Sequence, residues 1–433
     1  MKITRNNRAQ CISLFRDGNF PPLIYLWGLN SLVMKQTCYL SLFLLFLHTS
    51  CTEQALLSGK LELPPDNSWA SAVYLIQPRS LDEVAAGYAG QVIDSAAVQA
   101  DGSFAFENLP DSPQPILLEL AVQQKGERFA NRLDNENPET DNYFPVIWKN
   151  GEQLEVAASA KNFQSSFSIR NPSPENAALL QLRDIRLEAY RQFLRGRDEE
   201  GHDAEQLLGE EKALLNYQQA LMDFAENTDH LLPALTAIRW VSPEGDYERV
   251  PEFLVAQCGK WKGEYPGHPW VAQLCEKSSR EQLPVLKGDQ IPDFPLPMLS
   301  GDTVSLYQLL GERLTLLDLW ASWCAPCRRE NRDVLLPLWE RHHDKGFQVI
   351  GYALDSSEKA WKGAIEKDGA GRWLHASHLQ GDDAPLMEAL RLQTIPANFL
   401  LDKEGRIVAK NLHGTELAKF VEEYLEEGLY IGK

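Results

Sequence analysis

The stretch Leu314-Thr-Leu-Leu-Asp-Leu-Trp-Ala-Ser-Trp-Cys324-Ala-Pro-Cys327 decides how the chain is organised. An apolar run of strand length ends in Trp-Cys-Ala-Pro-Cys, and a helix-like pattern follows. Two cysteines three positions apart at such a junction can close a disulfide within one helical turn. The first thiol then lies at the helix N-terminus, where unpaired N–H groups and the helix dipole favour the thiolate. Because the thiolate attacks disulfides, the pattern predicts a redox-active pair, Cys324 and Cys327.

A structural zinc half-site and a pair of inert buried cysteines are the alternative interpretations of this motif. A structural zinc site needs a second pair of ligands, and the sequence contains no second Cys-x-x-Cys motif. The strand-to-helix context therefore favours redox chemistry.

Length and composition indicate a globular protein of two or three domains. The chain has 433 residues, of which 44% are hydrophobic and 24% charged. Its net charge of −19 opposes binding to nucleic acid, which requires Lys and Arg to neutralise phosphates. The same charge argues against attachment to an anionic membrane surface.

Residues 1–50 are expected to be an N-terminal extension and signal segment, with the true start at Met34. A short basic region is followed by the apolar run Cys38–Leu47, which is too short to span a bilayer comfortably. The run ends in small residues and Cys51, as in a lipoprotein signal, so Cys51 is the predicted lipidation site. His48 stands three residues before Cys51, where a lipoprotein signal usually has an aliphatic residue. A cleaved signal of a soluble periplasmic protein and a retained membrane anchor stay open.

Residues 51–170 contain short alternating segments separated by turn signals, such as Ala72–Ile76, Ser103–Phe106 and Ile116–Val122. This spacing predicts a small antiparallel β-sandwich, acting as a folded spacer or a docking module. Residues 171–285 instead have apolar residues at a helical period, and predict an α-helical middle region.

Cys258 and Cys275 lie 17 residues apart in the helical region. They either form a structural disulfide, worth roughly 3 kcal/mol, or stay as two buried thiols. Together with Cys324 and Cys327 they give an even number of cysteines after Cys51. This parity suits an oxidising compartment.

Residues 286–433 show a βαβ pattern and resemble the thioredoxin superfamily, most closely its TlpA/ResA-like envelope branch. The resemblance covers about a third of the chain. Besides the cysteine motif, it includes five further stretches of sequence. These are Gly288-Asp-Gln-Ile-Pro-Asp-Phe, Gly346-Phe-Gln-Val-Ile-Gly-Tyr-Ala-Leu-Asp355, Trp361-Lys-Gly-Ala-Ile, Thr394-Ile-Pro396 and Asp402-Lys-Glu-Gly-Arg-Ile-Val408. It implies a C-terminal α/β thioredoxin-like fold after the β-sandwich and the helical region.

The resemblance also implies a mechanism for the cysteine pair. Cys324 is the exposed nucleophile that attacks a partner disulfide, and Cys327 resolves the mixed disulfide. Pro326 suits the first helical turn, where a missing N–H costs nothing. Trp323 is expected to pack or to shield the site, against the disulfide.

Pro396 is expected to be cis and to face the cysteines, as in thioredoxin folds. The backbone of the preceding residue, Ile395, would then pair with a substrate peptide as a strand does. A simple turn proline is the alternative for this position.

Two acids are candidates for moving protons. Asp318 lies within the apolar strand, where burial raises the pKa of a carboxyl group, and would accept the proton of Cys327. The alternative is an acid at a strand edge, bonded to backbone. Glu330 is similar to the glutamate of ResA-like proteins, and a surface helix glutamate is its alternative. The helix-bending proline usual after that glutamate is missing, and Pro337 stands later in the chain, so the bend is expected to be displaced.

The sequence therefore predicts a periplasmic, lipid-anchored thiol–disulfide oxidoreductase of the bacterial cell envelope, without a cofactor beyond the dithiol. Its expected partners are disulfide-bearing periplasmic proteins and an upstream membrane thiol donor, with no nucleic acid. A peroxiredoxin-like peroxidase is one alternative, although Ala321 and Leu317 stand where its nucleophile needs Thr or Ser and Pro. A non-catalytic envelope lipoprotein that binds partners is the other.

Overall fold

The computed structural model describes residues 56–85, 90–127, 136–197 and 204–427. The predicted signal segment, the predicted start at Met34 and the predicted lipidation site Cys51 lie outside these ranges. Within them, no helix is both long enough and apolar enough to cross a membrane.

The first part of the described chain forms two four-stranded sheets. Its strands are β1 (Leu57–Glu62), β2 (Trp69–Gln77), β3 (Gln91–Ala97), β4 (Ser103–Ala105), β5 (Ile116–Gln124), β6 (Tyr143–Trp148), β7 (Leu154–Ser159) and β8 (Ser168–Arg170). One sheet has the order β4-β1-β7-β8 and the other β3-β2-β5-β6. The prediction of purely antiparallel sheets is wrong, because β1 and β7 run parallel. The whole second sheet lies between them in sequence, and this long connection permits parallel pairing.

The middle part is helical, as predicted. Its helices are α1 (Phe163–Ser166), which precedes β8, and then α2 (Pro174–Phe193), α3 (Ala204–Asn227), α4 (Leu231–Val241), α5 (Pro251–Glu264) and α6 (Pro269–Lys277). One hydrophobic core runs from Leu57 to Leu283 through both the sheets and the helices. The boundary at 170 and the face-to-face sandwich stay predictions.

The C-terminal part has its own hydrophobic core, from Ile291 to Leu425. Its elements are β9 (Pro295–Pro297), β10 (Thr303–Ser305), β11 (Leu314–Trp320), α7 (Ala325–Glu330), α8 (Leu336–His342), β12 (Phe347–Ala353), α9 (Glu358–Lys367), β13 (Leu374–Ala376), α10 (Pro385–Leu390), β14 (Ala397–Asp402), β15 (Ile407–Lys410) and α11 (Gly414–Glu427). The five-stranded sheet has the order β13-β12-β11-β14-β15. Strand β11 is central and every one of its residues is buried, which accounts for its unbroken apolar pattern.

The helix after the cysteine motif contains a π-helical segment, Asn331–Leu335, which joins α7 to α8. Pro337 lies in the first turn of α8 and has no N–H to donate to the carbonyl of Asp333, four residues earlier. A wider turn before this proline is the expected response. The π-helical segment lies just before Pro337, and the displaced bend stays a prediction.

Candidate functional site

Cys324 and Cys327 form a disulfide at the junction of β11 and α7, with their Cα atoms 5.4 Å apart. Cys324 is the N-cap of α7 and Pro326 lies in its first turn. The N–H of Cys327 lies 3.3 Å from Sγ of Cys324 and points to it. On reduction, this N–H is placed to stabilise a thiolate at Cys324.

Cys324 is less exposed than predicted. It is 5% exposed and Cys327 is 2% exposed, so the description of Cys324 as an exposed nucleophile is wrong for this oxidised form. The physical reason is that its sulfur is bonded to that of Cys327, and so is turned into the first turn of α7. The predicted order of exposure agrees with the structure, because Cys327 is more buried than Cys324.

The loop before Cys324 is fixed by a buried acid that the sequence analysis did not single out. Asp355, two residues after the end of β12, is 2% exposed. It accepts hydrogen bonds from the backbone N–H of Ser322, at 2.9 Å, and from the hydroxyl group of the same residue. Beyond the cysteines, Arg328 forms an ion pair with the buried Asp368. Both contacts hold the cysteine motif in one place.

Trp323 does not pack into the protein, contrary to one part of the prediction. Trp323 is 62% exposed, whereas Trp320 at the end of β11 is fully buried. Trp323 stands in the turn where the chain leaves the sheet, and so it points into solvent instead of into the core. Its predicted position against the disulfide stays a prediction.

The peptide bond between Ile395 and Pro396 is cis, as predicted. These two residues end the segment 391–396, here named the cis-proline loop, which connects α10 to β14. Residue Ala397 of β14 pairs with Leu319 of β11, five positions before Cys324. The cis-proline loop therefore lies at the same end of the sheet as the disulfide.

Asp318 lies in the middle of the central strand and is 5% exposed. Burial raises its pKa to about 8, and the charge of Glu330 adds to the effect. Its neighbours in the sheet are Gly351 and Asn398, so the alternative of an acid at a strand edge is wrong. A carboxyl group with this pKa can take up or release a proton near neutral pH.

Glu330 ends α7 and is also 5% exposed, so the alternative of a surface glutamate is wrong. Its Oε1 accepts a hydrogen bond from the backbone N–H of Gly414 at 2.9 Å. Its Oε2 lies 4.0 Å from Nδ1 of His413. Burial raises the pKa of Glu330, while the bond from Gly414 opposes the shift.

Comparisons with known proteins agree with this geometry. Residues 287–410 match the family model described as "AhpC/TSA family". The chain is 29% identical to the Thioredoxin-like protein YneN of Bacillus subtilis over 35% of this chain and 86% of that protein. The C-terminal part is a thioredoxin-like domain. This confirms the predicted resemblance to the thioredoxin superfamily.

Other relatives of the thioredoxin-like domain carry the name of an activity. The chain is 22% identical to the Thiol-disulfide oxidoreductase ResA of Bacillus subtilis over 33% of this chain and 75% of that protein. A crystal structure of the thioredoxin domain of a thiol-disulfide oxidoreductase from Bacteroides vulgatus is 32% identical, covers 33% of this chain and 99% of that chain, and has a TM-score of 0.31. Both of these relatives are named as thiol–disulfide oxidoreductases.

A second disulfide lies outside the thioredoxin-like domain. Cys258 in α5 and Cys275 in α6 are bonded, with their Cα atoms 4.9 Å apart. Of the two alternatives left open for these cysteines, the structure has the disulfide. It links two neighbouring helices of the middle part and takes no part in the site.

Proposed function

We propose that this chain is a thiol–disulfide oxidoreductase of the bacterial cell envelope that reduces disulfides in other proteins. The observation that carries this proposal is the Cys324–Cys327 disulfide at the end of a buried central strand, at the same end of the sheet as the cis-proline loop. The names of the relatives support thiol–disulfide exchange as the class of reaction. The direction of electron flow, towards the partner, is part of the proposal.

The reaction begins with the reduced pair. The thiolate of Cys324 attacks one sulfur of the partner disulfide, forms a mixed disulfide and releases the other partner sulfur as a thiolate. The thiolate of Cys327 then attacks Cys324 Sγ, which releases the second partner thiolate and closes the enzyme disulfide. Two electrons pass to the partner, and an upstream thiol donor restores the reduced pair.

Asp318 is the proposed base for the second step. Cys327 has to lose a proton before it can attack, and a carboxyl group whose pKa is about 8 is matched to a thiol of ordinary pKa near 8.5. At pH 7 most Asp318 is protonated, so the base form becomes available as the pH rises towards 8. The dithiol itself carries the electrons, so the proposal includes no added cofactor.

The proposed location follows from the sequence before residue 52. The layout from Met34 to Cys51 supports secretion and a lipid anchor at Cys51 on the periplasmic side. The proposed partners are disulfide-bearing periplasmic proteins and a membrane thiol donor. A net charge of −19 argues against nucleic acid as a partner.

The test is reduction of insulin disulfides with dithiothreitol as electron source. Wild type should accelerate the reaction, Cys324→Ser should abolish the acceleration, and Cys327→Ser should accumulate mixed disulfides. Envelope proteins trapped on Cys327→Ser in cells would identify the partners. Turnover of hydrogen peroxide without reduction of insulin would favour a peroxidase instead. Neither activity in a reduced, folded wild type would favour a binding protein.

A further inference from the structure

The cis-proline loop is bonded to the middle, helical part of the chain. The carboxylate of Glu248 accepts a hydrogen bond from the backbone N–H of Gln393 at 2.8 Å, and a second from that of Thr394 at 3.3 Å. Glu248 is 8% exposed, so its side of both bonds is shielded from water, whereas Gln393 and Thr394 are exposed. Hydrogen bonds to a charged acceptor are among the stronger ones in proteins.

The next residue, Arg249, holds the other side of the loop. Its Nη2 donates to the carbonyl oxygen of Pro396 at 3.0 Å. Its Nε forms an ion pair with Glu211 of α3 at 2.9 Å, which orients the guanidinium group. Two neighbouring residues of the helical part therefore fix three backbone groups of the cis-proline loop.

The segment that carries these two residues is itself well anchored. It runs from 242 to 250, between α4 and α5. The hydroxyl of the buried Tyr247 donates to the carbonyl oxygen of Ile238 at 2.9 Å, and the N–H of Glu248 donates to Oδ1 of Asp246 at 2.9 Å. The helical core thus presents the two side chains from a rigid support.

One residue of the loop is left free between these contacts. Within the described ranges, neither the N–H nor the carbonyl of Ile395 has a hydrogen-bond partner, and the residue is only partly buried. Trp323 is exposed at the same end of the sheet. An extended segment of a partner can therefore pair with Ile395 while the flanking residues stay fixed.

We propose that Glu248 and Arg249 are positioning residues, which order the cis-proline loop before a partner peptide binds. This inference rests on the proposed function of the site. A loop that is already ordered loses less conformational freedom on binding, so the partner binds more tightly. Because the contacts persist through the reaction, their loss should raise KM and leave kcat almost unchanged.

The test compares full-length variants in the reduction of a synthetic peptide that contains one disulfide. Glu248→Ala should raise KM about tenfold, and Glu248→Gln, which keeps one acceptor oxygen, should raise it less. In both variants kcat and the rate at which iodoacetamide alkylates the reduced Cys324 should stay within about twofold of wild type.

Glu252→Ala is the matched control. Glu252 also joins the helical part to the thioredoxin-like domain, through the N–H of Lys287 at 2.8 Å and Nζ of Lys410 at 2.9 Å, but it does not touch the cis-proline loop. Its KM should equal that of wild type.

Three results would overturn the inference. The first is an unchanged KM in Glu248→Ala, or in Glu248→Gln if the alanine variant does not fold. The second is an equal rise of KM in Glu252→Ala, which would indicate a general effect of the interface. The third is a fall of kcat and of alkylation without a change of KM. A wild type that reduces no disulfide would instead contradict the proposed function and would remove this inference with it.

Discussion

The carboxylate of Glu330, at the end of α7, raises the pKa of Asp318 in the central strand. The negative charge of Glu330 repels a negative charge on Asp318, and so disfavours the ionised form of Asp318. Burial is the larger cause, and together they bring the pKa of Asp318 to about 8. At neutral pH the carboxyl group of Asp318 is therefore mostly protonated.

Asp318→Asn should make the oxidised protein more stable at alkaline pH. The pKa of Asp318 is about 8 in the folded chain, against an ordinary value of 3.8. Between these values the folded state binds more protons than the unfolded state, so the free energy of unfolding falls as the pH rises. The asparagine variant lacks this loss. Its advantage should approach at most about 6 kcal/mol at pH 9 and nearly vanish below about pH 4.

Denaturant unfolding of wild type and Asp318→Asn at several pH values measures this difference. Groups that do not interact with Asp318 contribute equally in both proteins and cancel in the comparison. Parallel curves, with the same gap at pH 4 and pH 9, would show that Asp318 does not titrate in this range.

Asp318→Asn should also slow the release of the partner from the mixed disulfide. In wild type this step should accelerate as the pH rises towards about 8, because the base form of Asp318 becomes populated. The variant should be slower by about 100-fold at pH 8. Stopped-flow measurement of partner release, starting from a preformed mixed disulfide, tests the prediction. A variant as fast as wild type would assign the proton to another acceptor.

Glu330→Gln should shift that pH dependence to lower pH. The amide keeps an oxygen that can accept the N–H of Gly414, but the charge that raises the pKa of Asp318 is gone. Because burial still acts, the midpoint should stay well above the ordinary range of an aspartate. The same stopped-flow profile gives the midpoint. If it does not move, the two acids are not coupled as described.

Replacing Cys258 and Cys275 together by serine should lower the free energy of unfolding by roughly 3 kcal/mol, since the unfolded chain loses a cross-link over 17 residues. Insulin reduction per folded molecule should stay at the wild-type rate, because this disulfide lies outside the site. Denaturant unfolding and the insulin assay on the same preparation check both parts. A large loss of specific activity in fully folded protein would mean that the second disulfide takes part in the reaction.

Local patterns explain why the centre of the site could be predicted. The apolar run of β11, the cysteine spacing and the Ile395-Pro396 pair each lie within a few residues of sequence. The burial of Asp318 followed from the apolar run, and the cis geometry at Pro396 followed from the resemblance to thioredoxin folds. The disulfide between Cys258 and Cys275 could not be decided, because spacing alone does not place two helices side by side.

Contacts between distant segments explain what the sequence did not reveal. Glu248 and Gln393 are 145 positions apart, and Asp355 and Ser322 are 33 apart. In each case a side chain bonds to a backbone N–H, and any residue except proline offers such a group. The residue that donates the N–H can be of almost any type, so the sequence does not indicate the contact. Only the folded structure reveals it. The parallel pairing of β1 with β7 has the same origin.

The single hydrophobic core that joins the two N-terminal sheets to helices α2–α6 has a consequence for the history of the gene. A gene rearrangement that removed only the sheets, or only the helices, would expose an apolar face to water. The resulting protein would be prone to aggregate. Residues 57–283 would therefore have to be inherited, lost or exchanged as one block. The thioredoxin-like domain has a hydrophobic core of its own, so its exchange would not divide the core of residues 57–283.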